Sequence, residues 1–399
     1  MVQQTKSYQQ KLHSNIWKLY ILGILHWFLM VMPIIVLFYQ ENGLSISQIM
    51  ILQAFASVII VGIEIPSGYF ADRIGRKQAL LLGSILGFLG ALAYAFSFNF
   101  CGFLFAELFV SLGMGFISGA DSALLYDSLA EIKKTELYKA TQGKLSAVSN
   151  FAEGIASIIG GLLVLISLRT PFFAEATVVF FSIFVALSLH EPKHYIAEIP
   201  ESHWRKVWNA VKYVLSDHKK IRNLMWYAAF MSTATLTFVW LAQPYWKLIG
   251  IPLVLFGILW AILQFIVGYF SLISHKIEKI FGRDNLLVYF VLLLTLGYVL
   301  IGVFQAVWAV GFVVIFYIVR GIQDPLLKTY INELIPSQMR ATILSVKSFL
   351  GRIVFSVVGP FIGWLADVYT LSQAFLFSAA IFFILGSGSL LFLYYAKKK

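Results

Sequence analysis

Charge is scarce in this chain: only 12% of its 399 residues are Asp, Glu, Lys or Arg, against roughly a quarter in a soluble domain. Cysteine is scarcer still, since Cys101 is the only one and an intrachain disulfide is excluded. No Asn-x-Ser/Thr acceptor occurs, which is compatible with a bacterial inner membrane. No G-x-x-x-x-G-K-[ST] phosphate loop occurs either, so direct drive by ATP is not expected. The seven histidines lie mostly in polar segments and at span edges, and no zinc-peptidase motif or G-x-S-x-G elbow accompanies them. An enzyme is therefore not expected, nor a metal or cofactor. A channel is disfavoured by the lack of a filter-like loop.

What is abundant is hydrocarbon. The chain is 60% hydrophobic, with 36 Phe, 19 Tyr and 10 Trp, and its apolar windows repeatedly exceed the length that crosses a bilayer. The windows predict twelve helices, near 16–40, 48–70, 78–97, 100–126, 145–166 and 171–189, then 222–244, 251–274, 284–302, 305–328, 342–366 and 372–395. The first residues are polar and basic without a cleavage pattern, and read as a cytoplasmic tail rather than a signal peptide.

Of the 30 Lys and Arg, 25 fall in the tails and loops of one side or at the span ends beside them, while only Arg169 and Lys247 fall in segments on the other. That bias places both termini and all the basic loops in the cytoplasm, in a multi-pass plasma membrane protein. The formal charge of +11 is thus a topology signal and not a nucleic-acid footprint. The expected organisation is a tail over 1–15, a six-helix bundle over 16–189, a linker over 190–221, a second bundle over 222–395 and a tail over 396–399. Within the linker, Trp204, Val207, Trp208, Val211 and Val214 recur at helical spacing beside Arg205, Lys206 and Lys212, the pattern of an amphipathic helix on the inner membrane surface.

A shift of 203 residues superposes Arg73 on Lys276, Arg76 on Lys279 and Asp121 on Asp324, which supports an internal repeat of transporter type. Between spans 2 and 3, Gly68, Asp72, Arg73, Gly75, Arg76 and Lys77 fit G-x-x-x-D-R-x-G-R-K. With that motif so placed, the chain resembles the major facilitator superfamily over essentially its whole length. The resemblance implies an all-α fold of two pseudo-repeated six-helix bundles around a central cavity that opens alternately to each side. It also implies a conformational latch of Asp72, Arg73 and Arg76, with Asp127 as the partner of Arg76 and the start of span 11 meeting Asp72. Gly68 is expected to let helices approach and Gly75 to permit the tight turn, while the G-x-x-x-G pairs Gly83/Gly87, Gly115/Gly119 and Gly359/Gly363 are expected to mark close helix packing.

Ionisable residues inside spans are costly and usually face a cavity or a partner. The candidates for proton or substrate coupling are Glu64, Glu107, Asp121 and Glu153 in the first half, with Arg320 and Asp324 in the second. Arg320 and Asp324 stand four apart, the spacing of a mutually neutralising helical pair. Glu107 and Glu153 are the sharper candidates, being surrounded by apolar sequence. Glu175, near the outer end of span 6, is expected to reach the interface, and Lys347 to snorkel.

The pattern of proton-coupled drug exporters is incomplete. Phe109 stands where they carry an Arg in helix 4, and "ASIIGG" at 156–161 replaces G-P-x-x-G-G. The leading expectation is proton-coupled efflux of hydrophobic or cationic small molecules. The alternatives are a symporter or exporter of a small, possibly anionic metabolite, and a non-transporting receptor or scaffold. Expected partners are a small-molecule substrate, protons and membrane lipids, for a protein functional as a monomer.

Overall fold

The computed structural model describes residues 2–192, 212, 218–335 and 339–398, all helix or short connection. The expected amphipathic segment lies outside the described residues but for Lys212. Contacts divide the chain into two compact units, Met1–Phe38 with Ile59–Pro200 and Tyr39–Val58 with Glu201–Lys399. Among the described residues, eleven helical stretches are long and apolar enough to cross a membrane, in keeping with a multi-pass membrane protein.

The first unit contains α1 (Val2–His26), most of α3 (Ile46–Ile74), α4 (Arg76–Phe96), α5 (Phe100–Ile117), α6 (Ala120–Glu131), α7 (Tyr138–Leu163) and α8 (Thr170–Ser188). α4 lies between α5 and α8. Its approach to α5 is backbone on backbone: a Cβ on Gly83 would stand 2.9 Å from Gly113 O, and one on Gly113 would stand 2.9 Å from Gly87 N. Small residues act here as the sequence pattern predicts, letting helices associate where lipid supplies no hydrophobic drive. Leu19, Leu80, Leu124, Leu125 and Ala186 close one end of the unit.

Two departures from the expected spans have physical causes. The span expected over 16–40 is not one helix: α1 stops at His26 and α2 (Ile35–Glu41) begins after a non-helical stretch over 27–34. Pro33 lies in that stretch, where it removes an N–H and its ring would collide with the carbonyl four residues back. Span 4 bends between α5 and α6, where Gly119 takes φ +84°, a conformation costly for any residue with a Cβ. Gly119 is therefore a turning point and not the packing contact its spacing from Gly115 had indicated.

The second unit contains α9 (Lys219–Leu248), α10 (Val254–Phe281), α11 (Arg283–Val303), α12 (Val313–Glu333), α13 (Arg340–Val368) and α14 (Leu371–Lys398), with residues 39–58 packed among them. α9 is its buried centre, with Tyr227, Phe238 and Trp246 enclosed against α12, α13 and α14. Phe238 stacks on Phe316 with ring centroids 3.9 Å apart. The phenols of this core donate to helix carbonyls, Tyr227 to Leu287 O at 2.6 Å and Tyr298 to Ala234 O at 2.7 Å. Asp367 on α13 accepts from the first N–H groups of α3, Ile46 at 2.8 Å and Ser47 at 2.9 Å, an acid answering the positive end of a helix.

The closest backbone approach in the first unit is testable. A Cβ on Gly160 would collide with Met30 O, a backbone atom, whereas one on Gly268 would meet nothing within 4 Å. Gly160→Ala is expected to lower the melting temperature of the purified protein by several degrees, and Gly268→Ala to leave it unchanged or slightly raised. Equal melting temperatures for the two variants would show that α7 does not press on the broken span.

Candidate functional site

Charges gather at the basic end of the first unit. Gly75, with φ +130°, turns the chain between α3 and α4, and a side chain there would strike Gln78 and Glu191. The turn brings Arg76 onto Asp127 of α6 in an ion pair, with Asp72 a further 3.9 Å contact. Arg76 is largely enclosed and Asp72 mostly exposed, so the Asp127 contact is the less screened of the two. Arg73 points elsewhere, donating to Tyr69 Oη at 2.8 Å and lying over its ring. Gly68 has no heavy atom within 4 Å of where a Cβ would stand, so it does not provide the close approach expected of it.

One member of this cluster has no signature in the sequence. Glu191 accepts from Arg76 N–H and Lys77 N–H, both at 2.8 Å, and so caps α4 with a carboxylate. Its neighbour His190 is tied to α1, donating its N–H to Asn15 Oδ1 at 3.0 Å and accepting from Asn15 Nδ2 at 2.8 Å. Burial, with Lys18, Lys11 and Lys77 nearby, pushes the His190 pKa down. The polar edge after span 6 is thereby fastened to α1 and α4 at once.

Two buried acids of the first unit flank one aromatic cluster. Phe38 lies 4.1 Å from Phe172 and 5.5 Å from Phe103 by ring centroids, and Tyr94 lies 5.9 Å from both Phe103 and Phe172. Glu107, one turn after Phe103, accepts from the Tyr94 hydroxyl and, at 3.3 Å, from Ser111. Glu175, one turn after Phe172, accepts from Val31 N–H at 3.0 Å. Arg169 closes one side of the cluster, its guanidinium 4.8 Å from the Phe38 ring and its Nη1 donating to Ala95 O at 2.6 Å. Glu175 is thus a buried member of the unit and not the interfacial residue expected. Glu153 is also buried, on α7, whereas Glu64 is exposed and Asp121 half-buried at the start of α6. The structure brings Glu107 and Glu175 around the same rings, a grouping in which the expected coupling set included only Glu107.

In the second unit the expected pairing of Arg320 with Asp324 does not form. Asp324 takes Lys347 of α13 instead, at 3.4 Å, because an i,i+4 partner offers no more than a neighbouring helix that points a buried ammonium at the same carboxylate. Arg320 is left half-buried on α12 with no hydrogen bond or ion pair to a described residue. A cavity of about 540 Å³ opens at the other end of α12, lined by Lys220, Arg283, Asp284, Tyr330 and aliphatic side chains. Arg283 there is held by Glu333 at 2.7 Å and lies over the Tyr330 ring. No group of three or more His, Cys, Asp or Glu able to hold a metal occurs among the described residues.

A model of the Major Facilitator Superfamily matches residues 19–357. The inner membrane metabolite transport protein YhjE of Escherichia coli (strain K12) is 24% identical over 364 residues, 83% of this chain and 81% of that protein. The quinolone resistance protein NorA of Staphylococcus aureus (strain MRSA252) is 25% identical over 165 residues, 41% of this chain, and the match spans only 42% of its length. Among solved structures, that of the nucleoside transporter NupG has a TM-score of 0.78 at 13% identity, covering 95% of this chain and 98% of that one. A D-xylose-proton symporter has a TM-score of 0.72 at 16% identity, covering 96% and 97%. At these identities the structural likeness concerns the fold alone.

Removal of the α4 cap gives a local test. Glu191→Ala is expected to cost roughly 1 kcal/mol, the usual value of a helix cap, read as a lower melting temperature of the purified protein. Glu191→Gln should retain part of it through its amide oxygen. Unchanged melting in the alanine variant would mean that the N–H groups of Arg76 and Lys77 are satisfied without it.

Proposed function

The chain belongs to the Major Facilitator Superfamily and is a secondary-active small-molecule transporter, not an enzyme; within that family we propose that it moves a small acidic metabolite, coupled to protons. The observation that carries this reading is Arg320. An always-charged side chain within a span, half-buried and without a partner among the described residues, needs an anion to answer it. Lys347 cannot serve equally, since Asp324 already faces it. A carboxylate or phosphate group on the substrate would meet the guanidinium in the bidentate geometry that Arg favours. The alignment to a metabolite transport protein over 83% of this chain supports this choice over drug export, as do Phe109 and the missing Gly-Pro of span 5.

The remaining charges take roles around that pairing. Glu107 and Glu153, buried in the first unit, are candidates to load and release protons. The Arg76–Asp127 pair with Asp72 is a candidate latch that stabilises one state of the cycle, with the basic loops and both termini in the cytoplasm. Efflux of lipophilic cations is the second reading, and the partial alignment to the quinolone resistance protein is what favours it.

Proteoliposomes carrying the full chain, with an imposed proton gradient, would be offered labelled carboxylates, phosphorylated metabolites, sugars, nucleosides and lipophilic cations. Uptake or release of one acidic class is expected, and Arg320→Ala should lower it by roughly tenfold or more, the worth of a hydrogen bond to a charged group. Arg320→Lys should recover part of the loss, with melting unchanged in both variants. Movement of lipophilic cations alone, unaffected by Arg320→Ala, would sink the metabolite reading.

A further inference from the structure

A break in a span strands backbone N–H and C=O groups where there is no water to satisfy them. Between α1 and α2 the chain closes some of its own bonds, Met30 N–H to Phe28 O at 3.1 Å and Ile34 N–H to Val31 O at 3.0 Å. Val31 N–H goes to Glu175 Oε2, at 3.0 Å. A titratable side chain, and not a serine or a main-chain carbonyl, therefore holds the break. From the other side α7 presses on it, with no room for a Cβ between Gly160 and Met30 O. The break is gripped by two helices, one through contact and one through a carboxylate.

We propose that Glu175 and the broken stretch over 27–34 form a proton-binding site, at which gain or loss of a proton rearranges the first span. This rests on the proton-coupled reading above and names the group and the element it moves. Ionised, the carboxylate is an acceptor only, and it suits a backbone N–H. A proton taken from water onto one carboxyl oxygen weakens its hold on Val31 N–H and creates an O–H donor, which requires a carbonyl in its place. Nothing else is consumed, and the proton returns to water when the carboxylate re-forms.

The surroundings leave this exchange to Glu175. α8 packs against α1, α4 and α7. In the apolar part of those helices the titratable groups are Tyr20, His26, bonded to Ser84 at 3.1 Å, Tyr94, bonded to Glu107, and Glu153. At the start of α8 itself, Arg169 is directed to the carbonyls of Ala95 and Ser97. Among the described residues no cation pairs with the Glu175 carboxylate, so its charge is answered by backbone N–H alone.

The test needs no substrate. The purified full chain in nanodiscs would be titrated with acid and followed by infrared difference spectroscopy and by amide exchange of peptides covering 27–34, corrected for intrinsic rates. The wild type is expected to gain a carboxylic C=O band and to lose protection of the stretch in one transition. Glu175→Gln should lose that band component and leave the stretch independent of pH, whereas Gly268→Ala, at an open position of the second unit, should keep both responses. A folded Glu175→Gln protein with the wild-type transition, or a wild type whose stretch ignores pH, would overturn the proposal. Should Glu175→Gln not fold, Glu175→Asp retains the acid one methylene shorter; a displaced transition supports the assignment and an unmoved one overturns it. A break that titrates without proton-driven transport would leave the site standing and remove the coupled-transport reading alone.

Discussion

Every backbone N–H and C=O within a bilayer must find its partner inside the protein, and this requirement organises the chain. Among the described residues, eleven stretches are long and apolar enough to meet it as helix, one of them turned at Gly119. The first span does not meet it so, because Pro33 prevents a continuous ladder. The missing acceptor comes from Glu175, on a helix packed directly beside α1 though 144 residues away in sequence. The same logic recurs at helix ends: Glu191 answers the start of α4, and Asp367 the start of α3. In each case an acid does for a helix terminus what water does in a soluble protein.

The charges within spans divide by whether a neighbour neutralises them. Lys347 and Asp324 satisfy each other across two helices, and Arg76 is satisfied by Asp127. Glu107 is hydrogen-bonded to neutral hydroxyls, and Glu175 to a backbone N–H. Arg320 has no hydrogen bond or ion pair to a described residue. A transporter needs both kinds, since a fully compensated interior could neither bind an ion nor release one.

Much of the architecture is legible in one dimension because the bilayer imposes a single length scale and a single charge bias. Apolar windows located most of the helices, and the Gly83/Gly87 pair marked a close packing that the backbone contacts of α4 and α5 bear out. The glycine at position 75 was readable for the same reason, a turn too short for a side chain. The break over 27–34 was not readable, because prolines 66, 244, 325 and 360 stand inside helices that continue through them. A proline therefore does not announce its own effect in a membrane span; a neighbour that can take the freed groups decides it.

The sequence by itself determined that this is a multi-pass helical membrane protein, which residues are charged within it, and through the loop motif which family it belongs to. Hydropathy and residue type are properties of position, and they survive without knowledge of neighbours. Pairing is not such a property. Only the tertiary structure decided that Asp324 takes Lys347 in place of Arg320, that Glu175 is buried against the first span, and that Glu191 caps α4. A hydrogen bond or ion pair depends on distances of about 3 Å between helices, and such distances are set by packing across the bundle, to which the order of residues along one helix is blind.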